Sequence, residues 1–121
     1  MIGIDTVHIP RIEKAVKSTA FKERVFTETE RAYCEGRAHP AASFAGLFCA
    51  KEAAVKALKR GFGGGIMPCD IEIDHDRNGT PFFKACGKAA ILFSEFNVDV
   101  SISHDGDYAV AAVMLTERKT Q

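Results

Sequence analysis

Two acidic residues stand where the chain is otherwise apolar. Asp5 falls in the run Gly3-Ile4-Asp5-Thr6-Val7, and Glu52 follows Lys51 inside an apolar helical pattern that extends from Phe44 to Phe62. Burial makes a carboxylate's charge expensive, and a hard cation bound through oxygen offsets that expense. Magnesium takes one or two protein carboxylates and leaves its remaining positions to water and substrate phosphates, so Asp5 and Glu52 supply a suitable number. Lys51 and Lys56 are then the natural counter-charges for a metal-bound diphosphate. The competing reading is that Asp5 caps a turn while Glu52 pairs with Lys56 at i,i+4, an interaction of about 0.3–0.5 kcal/mol. Residue types and spacing leave both open. A third polar cluster, Ser103-His104-Asp105-Gly106-Asp107, interrupts two apolar runs near the C-terminus, and His104 is its candidate contact to a phosphate or an alcohol.

Other chemistries lack their signatures. There is no Gly-x-Ser-x-Gly, and no cysteine has a context that marks a nucleophile. Cys34, Cys49, Cys69 and Cys86 are widely spaced without a Cys-x-x-Cys, which argues against structural zinc and for reduced packing residues. The glycines at 61, 63, 64 and 65 lack the order of a phosphate-binding loop and follow a helix instead of preceding one. They read as a helix stop and a mobile connection. His75, between Asp74 and Asp76, reads as a wet hairpin face. Metal-assisted phosphoryl-type transfer is the reading that the residues favour.

The elements that must hold these groups follow from periodicity. Residues 2–9 predict a strand that reaches Asp5 and loosens after it, and Pro10 suits the first turn of a helix carrying Ile12, Ala15 and Val16. Thr27 and Glu30 form a capping box for a helix from Glu28 to Glu35, ended by Gly36. After His39-Pro40, a long helix carries Phe44, Leu47, Phe48, Val55, Leu58 and Phe62 on one stripe, with Glu52, Lys56 and Lys59 along its edge. A hairpin over 69–84 turns at Asn78-Gly79, and a further helix runs from Gly87 to Phe96. A second hairpin turns through 103–107 into the apolar run from Tyr108, and the tail from Thr116 frays. Strands and helices segregated in this way predict an α+β domain with a mainly antiparallel sheet packed against the long helix.

Sixteen basic and sixteen acidic side chains cancel over 121 residues, so net charge gives no reason to expect nucleic acid or a membrane surface as partner. The length suits one domain, residues 1–121. No basic segment leads into a long apolar run, and the expected location is the cytoplasm.

The segments GIDTVHIPRIE, FTETE, FCAKEAAVKAL and SISHDGDYAVA, in this order, resemble the holo-acyl-carrier-protein synthase family of 4'-phosphopantetheinyl transferases, from Gly3 to Val113. The resemblance implies transfer of the phosphopantetheine arm of coenzyme A to a serine of apo acyl carrier protein, leaving adenosine 3',5'-bisphosphate, in the service of fatty acid biosynthesis. It implies magnesium on Asp5 and Glu52, proton transfer by Glu52, and Lys56 at the leaving phosphate. Lys51, Lys56, Ser103 and His104 would surround the coenzyme A diphosphate and nucleotide. Arg11 would face the acidic carrier protein, and the family assembles as a homotrimer with sites between subunits. In one departure, the family often has arginine where this chain has Leu47, which bears on coenzyme A phosphate binding. The alternatives are a metal-dependent phosphohydrolase of coenzyme A or nucleotides, with water as acceptor, and a non-catalytic carrier-binding subunit.

Overall fold

A computed structural model describes residues 1–119. The chain order is β1 (Ile2–His8), α1 (Ile9–Ala15), α2 (Thr19–Val25), α3 (Glu28–Glu35), α4 (Pro40–Ala57), a 3₁₀ turn (Pro68–Asp70), β2 (Ile71–His75), β3 (Pro81–Ala85), α5 (Gly87–Phe93), β4 (Phe96–Asp105) and β5 (Tyr108–Glu117). β1, β5 and β4 form an antiparallel sheet in that order, and β2 pairs only with β3. The fold is α+β, with α4 laid across one face of the three-stranded sheet.

Alternation along the strands decides which residues meet α4. Gly3, Asp5 and Val7 of β1 share a face with Val113, Ala111 and Ala109 of β5 and with Val100, Ile102 and His104 of β4. That face is closed by the helix. Its alanines at 50, 53, 54 and 57 are fully buried, and the strand at Gly3 comes so close that a Cβ there would lie 1.9 Å from the Ala53 carbonyl oxygen. The opposite face shows Ile2, Ile4, Tyr108, Val110 and Met114 to solvent.

Several predicted boundaries move. β1 continues past Asp5 to His8, because its ladder with β5 runs unbroken to the His8 and Tyr108 pair. α4 starts at Pro40 and stops at Ala57, before the expected end. Lys59 adopts a left-handed backbone at φ 62°, so Lys59 and Phe62 lie outside the helix. α5 ends at Phe93 and β5 carries Thr116, which had been expected to fray. Thr120 and Gln121, the rest of that tail, lie outside the described residues. The 103–107 cluster is mostly strand, with Gly106 and Asp107 alone making the turn. α2 had no counterpart in the sequence reading; Ser18 caps it by accepting from the Phe21 amide at 3.2 Å.

The Thr27 and Glu30 box is present as expected: Glu30 N–H donates to Thr27 Oγ1 at 3.2 Å, and Thr27 N–H donates to Glu30 Oε1 at 2.9 Å. It does more than stop a helix from fraying. Glu30 is wholly buried and its second oxygen accepts from the Ile73 amide at 2.8 Å, which ties α3 to β2.

Candidate active site

Cys49, Glu52 and Lys56 fall at i, i+3 and i+7 on α4 and so share a stripe. Asp5 reaches that stripe from the middle of β1. The approach depends on small residues, because Gly3 lets the strand sit against the Ala53 to Ala57 backbone two register pairs from Asp5. Lys56 Nζ then donates to Asp5 Oδ1 at 2.8 Å, with the aspartate side chain 16% exposed and the lysine 51% exposed.

The electrostatics are those of a site short of positive charge. Burial first, and the negative charge of Asp5 second, push the Glu52 carboxyl above the usual glutamate range, with Lys56 opposing. Lys56 is held above the usual lysine value chiefly by its hydrogen bond to Asp5. Beneath the carboxylates, the Cys49 thiol is pushed up to about 12 by burial, then by the charge of Asp5 and a hydrogen bond with it, and by Glu52. It stays protonated and donates to the Ala109 carbonyl at 3.5 Å. Cys49 is therefore a packing thiol on the site's floor, and its i−3 spacing from Glu52 is the signal that could have placed it there.

Two hard carboxylates side by side, with one mobile ammonium as counter-charge, suit a divalent cation that prefers oxygen. Among the described residues no group of three or more histidine, cysteine, aspartate and glutamate side chains converges to hold a metal. Asp5 and Glu52 would be the protein's contribution, with waters and phosphates completing the shell.

Lys51 is the main correction. It does not join Asp5 and Glu52, because one residue's rotation along α4 turns it to another face. There it is 1% exposed, with Nζ 2.7 Å from Glu30 Oε1 and donating to the carbonyls of Pro68, at 2.9 Å, and of Ile71. All three of its donors are taken inside the protein, so it has none to offer a diphosphate. Burial pushes its ammonium down and the Glu30 carboxyl up, and each partner's charge opposes the shift.

Ser103 and His104 are separated by strand alternation. Ser103, paired with Val110, sits on the solvent face of the sheet, away from Asp5. His104 shares the Asp5 side and lines a cleft of about 230 Å³ together with Arg37, Ser43, Leu47, His75 and Pro81. His75 is no wet hairpin histidine: its ring stacks on Tyr33 at 3.7 Å and 4°, and its Nδ1 is buried without a partner. Burial, aided by Arg37, lowers its pKa. Arg37 rests over the other residue of that stack, 5.3 Å from the Tyr33 ring centre. Neither Tyr33 nor Arg37 stood out in the sequence, since a lone aromatic and a lone cation carry no pattern. Helix rise places Leu47 roughly 8 Å along α4 from Glu52, and Ser43 roughly 14 Å. Arg11 is exposed on α1.

The family model described as the 4'-phosphopantetheinyl transferase superfamily matches residues 1–113. A holo-[acyl-carrier-protein] synthase of Geobacter metallireducens is 43% identical over 118 residues, covering 93% of this chain and 94% of that one. The enzyme of the same name from Protochlamydia amoebophila is 44% identical over 112 residues, covering 91% and 92%. Among solved structures, the Helicobacter pylori holo-[acyl-carrier-protein] synthase in complex with coenzyme A superposes with a TM-score of 0.85 at 36% identity, over 96% of this chain and all of that one. The four motif segments, the fold and these likenesses agree, and the chain belongs to the holo-[acyl-carrier-protein] synthase family of the 4'-phosphopantetheinyl transferase superfamily.

Proposed function

We propose that this chain, as a single domain over residues 1–121, transfers the 4'-phosphopantetheine arm of coenzyme A to a serine of apo acyl carrier protein at the Asp5, Glu52 and Lys56 cluster. The observation that carries the site assignment is the pairing of a raised Glu52 carboxyl with the Asp5–Lys56 contact at 2.8 Å. Asp5 and Glu52 hold magnesium, which fits their hard oxygens and their shortage of positive charge. When bound, it supplies Lewis acidity and charge neutralisation at the coenzyme A diphosphate. Glu52 accepts the serine hydroxyl proton. The serine oxygen bonds to the β-phosphorus while the bond from that phosphorus to the bridging oxygen breaks. Adenosine 3',5'-bisphosphate leaves, with Lys56 swinging from Asp5 to its new phosphate charge.

His104 and the cleft beside it receive the nucleotide end of coenzyme A, Leu47 and Ser43 in its lining standing roughly one and a half and two and a half turns along α4 from Glu52. Arg11, exposed and cationic, steers the acidic carrier protein. We also propose a homotrimer. The solvent face of the sheet carries Ile2, Ile4, Val110 and Met114 together, an apolar patch that association would cover. Ser103 shares that face, so its service would be to a neighbouring copy's site. No described helix is long and apolar enough to cross a membrane, and the carrier-protein reaction and fatty acid biosynthesis are assigned to the cytoplasm.

Intact mass of an apo acyl carrier protein incubated with this protein, coenzyme A and magnesium tests the proposal. Gain of one phosphopantetheine, lost when the metal is chelated, is the expected result. Cleavage of coenzyme A without carrier would mean a hydrolase. Carrier binding without magnesium and without bisphosphate release would mean a non-catalytic subunit.

A further inference from the structure

Among the described residues, the β2–β3 hairpin shares no ladder with the main sheet. It nevertheless forms one wall of the cleft through His75 and Pro81, while Ser43 and Leu47 of α4 form the facing wall. Something other than strand pairing must set the width between them. The polar ties found there converge on one buried pair. Lys51 reaches from α4 to the Ile71 carbonyl at the start of β2 and to the Pro68 carbonyl ahead of it. Glu30, 2.7 Å from Lys51 Nζ, takes the Ile73 amide two residues from His75. Thr27, which caps the same helix as Glu30, donates its hydroxyl to Glu72 Oε1 at 2.6 Å. Each of the three residues from Ile71 to Ile73 is thus held by a side chain of α3, of α4 or of the α3 N-cap.

We propose that the Glu30–Lys51 pair is a positioning device for the coenzyme A cleft: it fixes the hairpin wall against α4, and Lys51 serves the reaction without touching either substrate. The proposal rests on the cleft being the nucleotide site. Because the pair lies on a different face of α4 from Glu52 and Lys56, it acts on co-substrate binding and leaves the transfer step alone. Geometry of this kind differs from general stabilisation. An ion pair that only stabilised the fold could be replaced by neutral groups with no functional loss, since two buried charges removed together leave no charge uncompensated.

Lys51→Met and the double variant Glu30→Gln/Lys51→Met separate these roles. The readouts are thermal midpoint, KM for coenzyme A, KM for apo acyl carrier protein, and kcat. The double variant is expected to regain most of the midpoint lost by Lys51→Met, yet to keep a KM for coenzyme A raised about tenfold, with kcat and carrier KM within about twofold of the parent. The single variant, assayed below its midpoint, shows the same KM-only change. Recovery of KM together with the midpoint would overturn the proposal in favour of a structural pair. So would a fall in kcat at unchanged KM, which would return Lys51 to the transfer step. Absence of transfer by the parent protein is a different failure, that of the proposed function.

Discussion

Gly3→Ala tests the packing on which the site depends. The added Cβ would lie 1.9 Å from the Ala53 carbonyl oxygen and 2.6 Å from the Ala57 amide nitrogen. Both are backbone atoms in the last turns of α4, unable to turn aside as the end of a flexible side chain could. Real Cβ contacts essentially never fall under 3.0 Å, so β1 and α4 must separate locally by about 1 Å, a displacement that can cost about 10²-fold in rate when it falls at a reacting centre. Asp5 is two residues on, pointing from the same face, and moves away from Glu52 with the strand. Overpacking against rigid backbone falls near the top of the usual range, about 3 kcal/mol, a fall in Tm of about 10 °C for a chain of this size. The assay is kcat/KM for carrier modification by intact mass, beside a thermal melt, with Gly61→Ala as control because nothing lies within 4 Å of its added Cβ. A Gly3→Ala protein with parental Tm and activity would refute the close approach and, with it, the account of how Asp5 meets the helix.

Further outcomes follow from the same geometry. Asp5→Ala and Glu52→Ala each abolish transfer while the far-UV circular dichroism and melt stay near parental, since both fill site and not core; unfolding of either would make the carboxylate structural. Arg11→Ala raises the KM for carrier protein about tenfold and leaves the KM for coenzyme A unchanged, an effect that fades with salt. Equal effects on both substrates would remove its docking role. If the proposed trimer buries this face, replacing Ile4 and Val110 together by aspartate yields a species near the 13.2 kDa of one chain in light scattering, and an unchanged mass would remove that face from the interface. Stability falls as pH rises from about 9 toward about 12. The buried thiols of Cys34 and Cys49 have folded values of about 12 against 9.0 for a free thiol, so the unfolded chain releases their protons first. Cys34→Ala flattens that limb in pH-dependent melts, and an unchanged slope would mean the thiol does not control it.

The parts of the fold written in local chemistry were legible. Thr27 and Glu30 marked a helix start, Gly36 its end and Asn78-Gly79 a hairpin, because each depends on neighbours within about four residues. The end of α4 was not, since it turns at Lys59, a residue with no intrinsic preference for a left-handed backbone. α2 was missed for want of a stripe longer than Phe21 and Val25. That Asp5, Glu52 and Lys56, which the structure brings together, deserved notice was legible because charge inside apolar runs is conspicuous. Cys49 was passed over, although its i−3 spacing from Glu52 puts it on the same stripe, because a thiol inside an apolar run is not conspicuous.

Lys51 and Glu52 show why adjacency in a motif says little about shared chemistry. One helical residue is a rotation of about 100°, enough to send Glu52 toward Asp5 and Lys51 into the core. Lysine in an apolar stripe has two outcomes: its ammonium reaches solvent along the stem, or it finds buried acceptors. Glu30 decides between them, and Glu30 is visible in sequence only as the second half of a capping box. A carboxylate assigned to a helix cap has one oxygen accounted for by the cap and another left over. In this fold that second oxygen takes the Ile73 amide, while the oxygen shared with the cap also takes Lys51. The cap, the buried lysine and the hairpin wall are therefore one connected structure, and a change at Glu30, far from Asp5 in sequence, would be felt at the cleft proposed for the nucleotide.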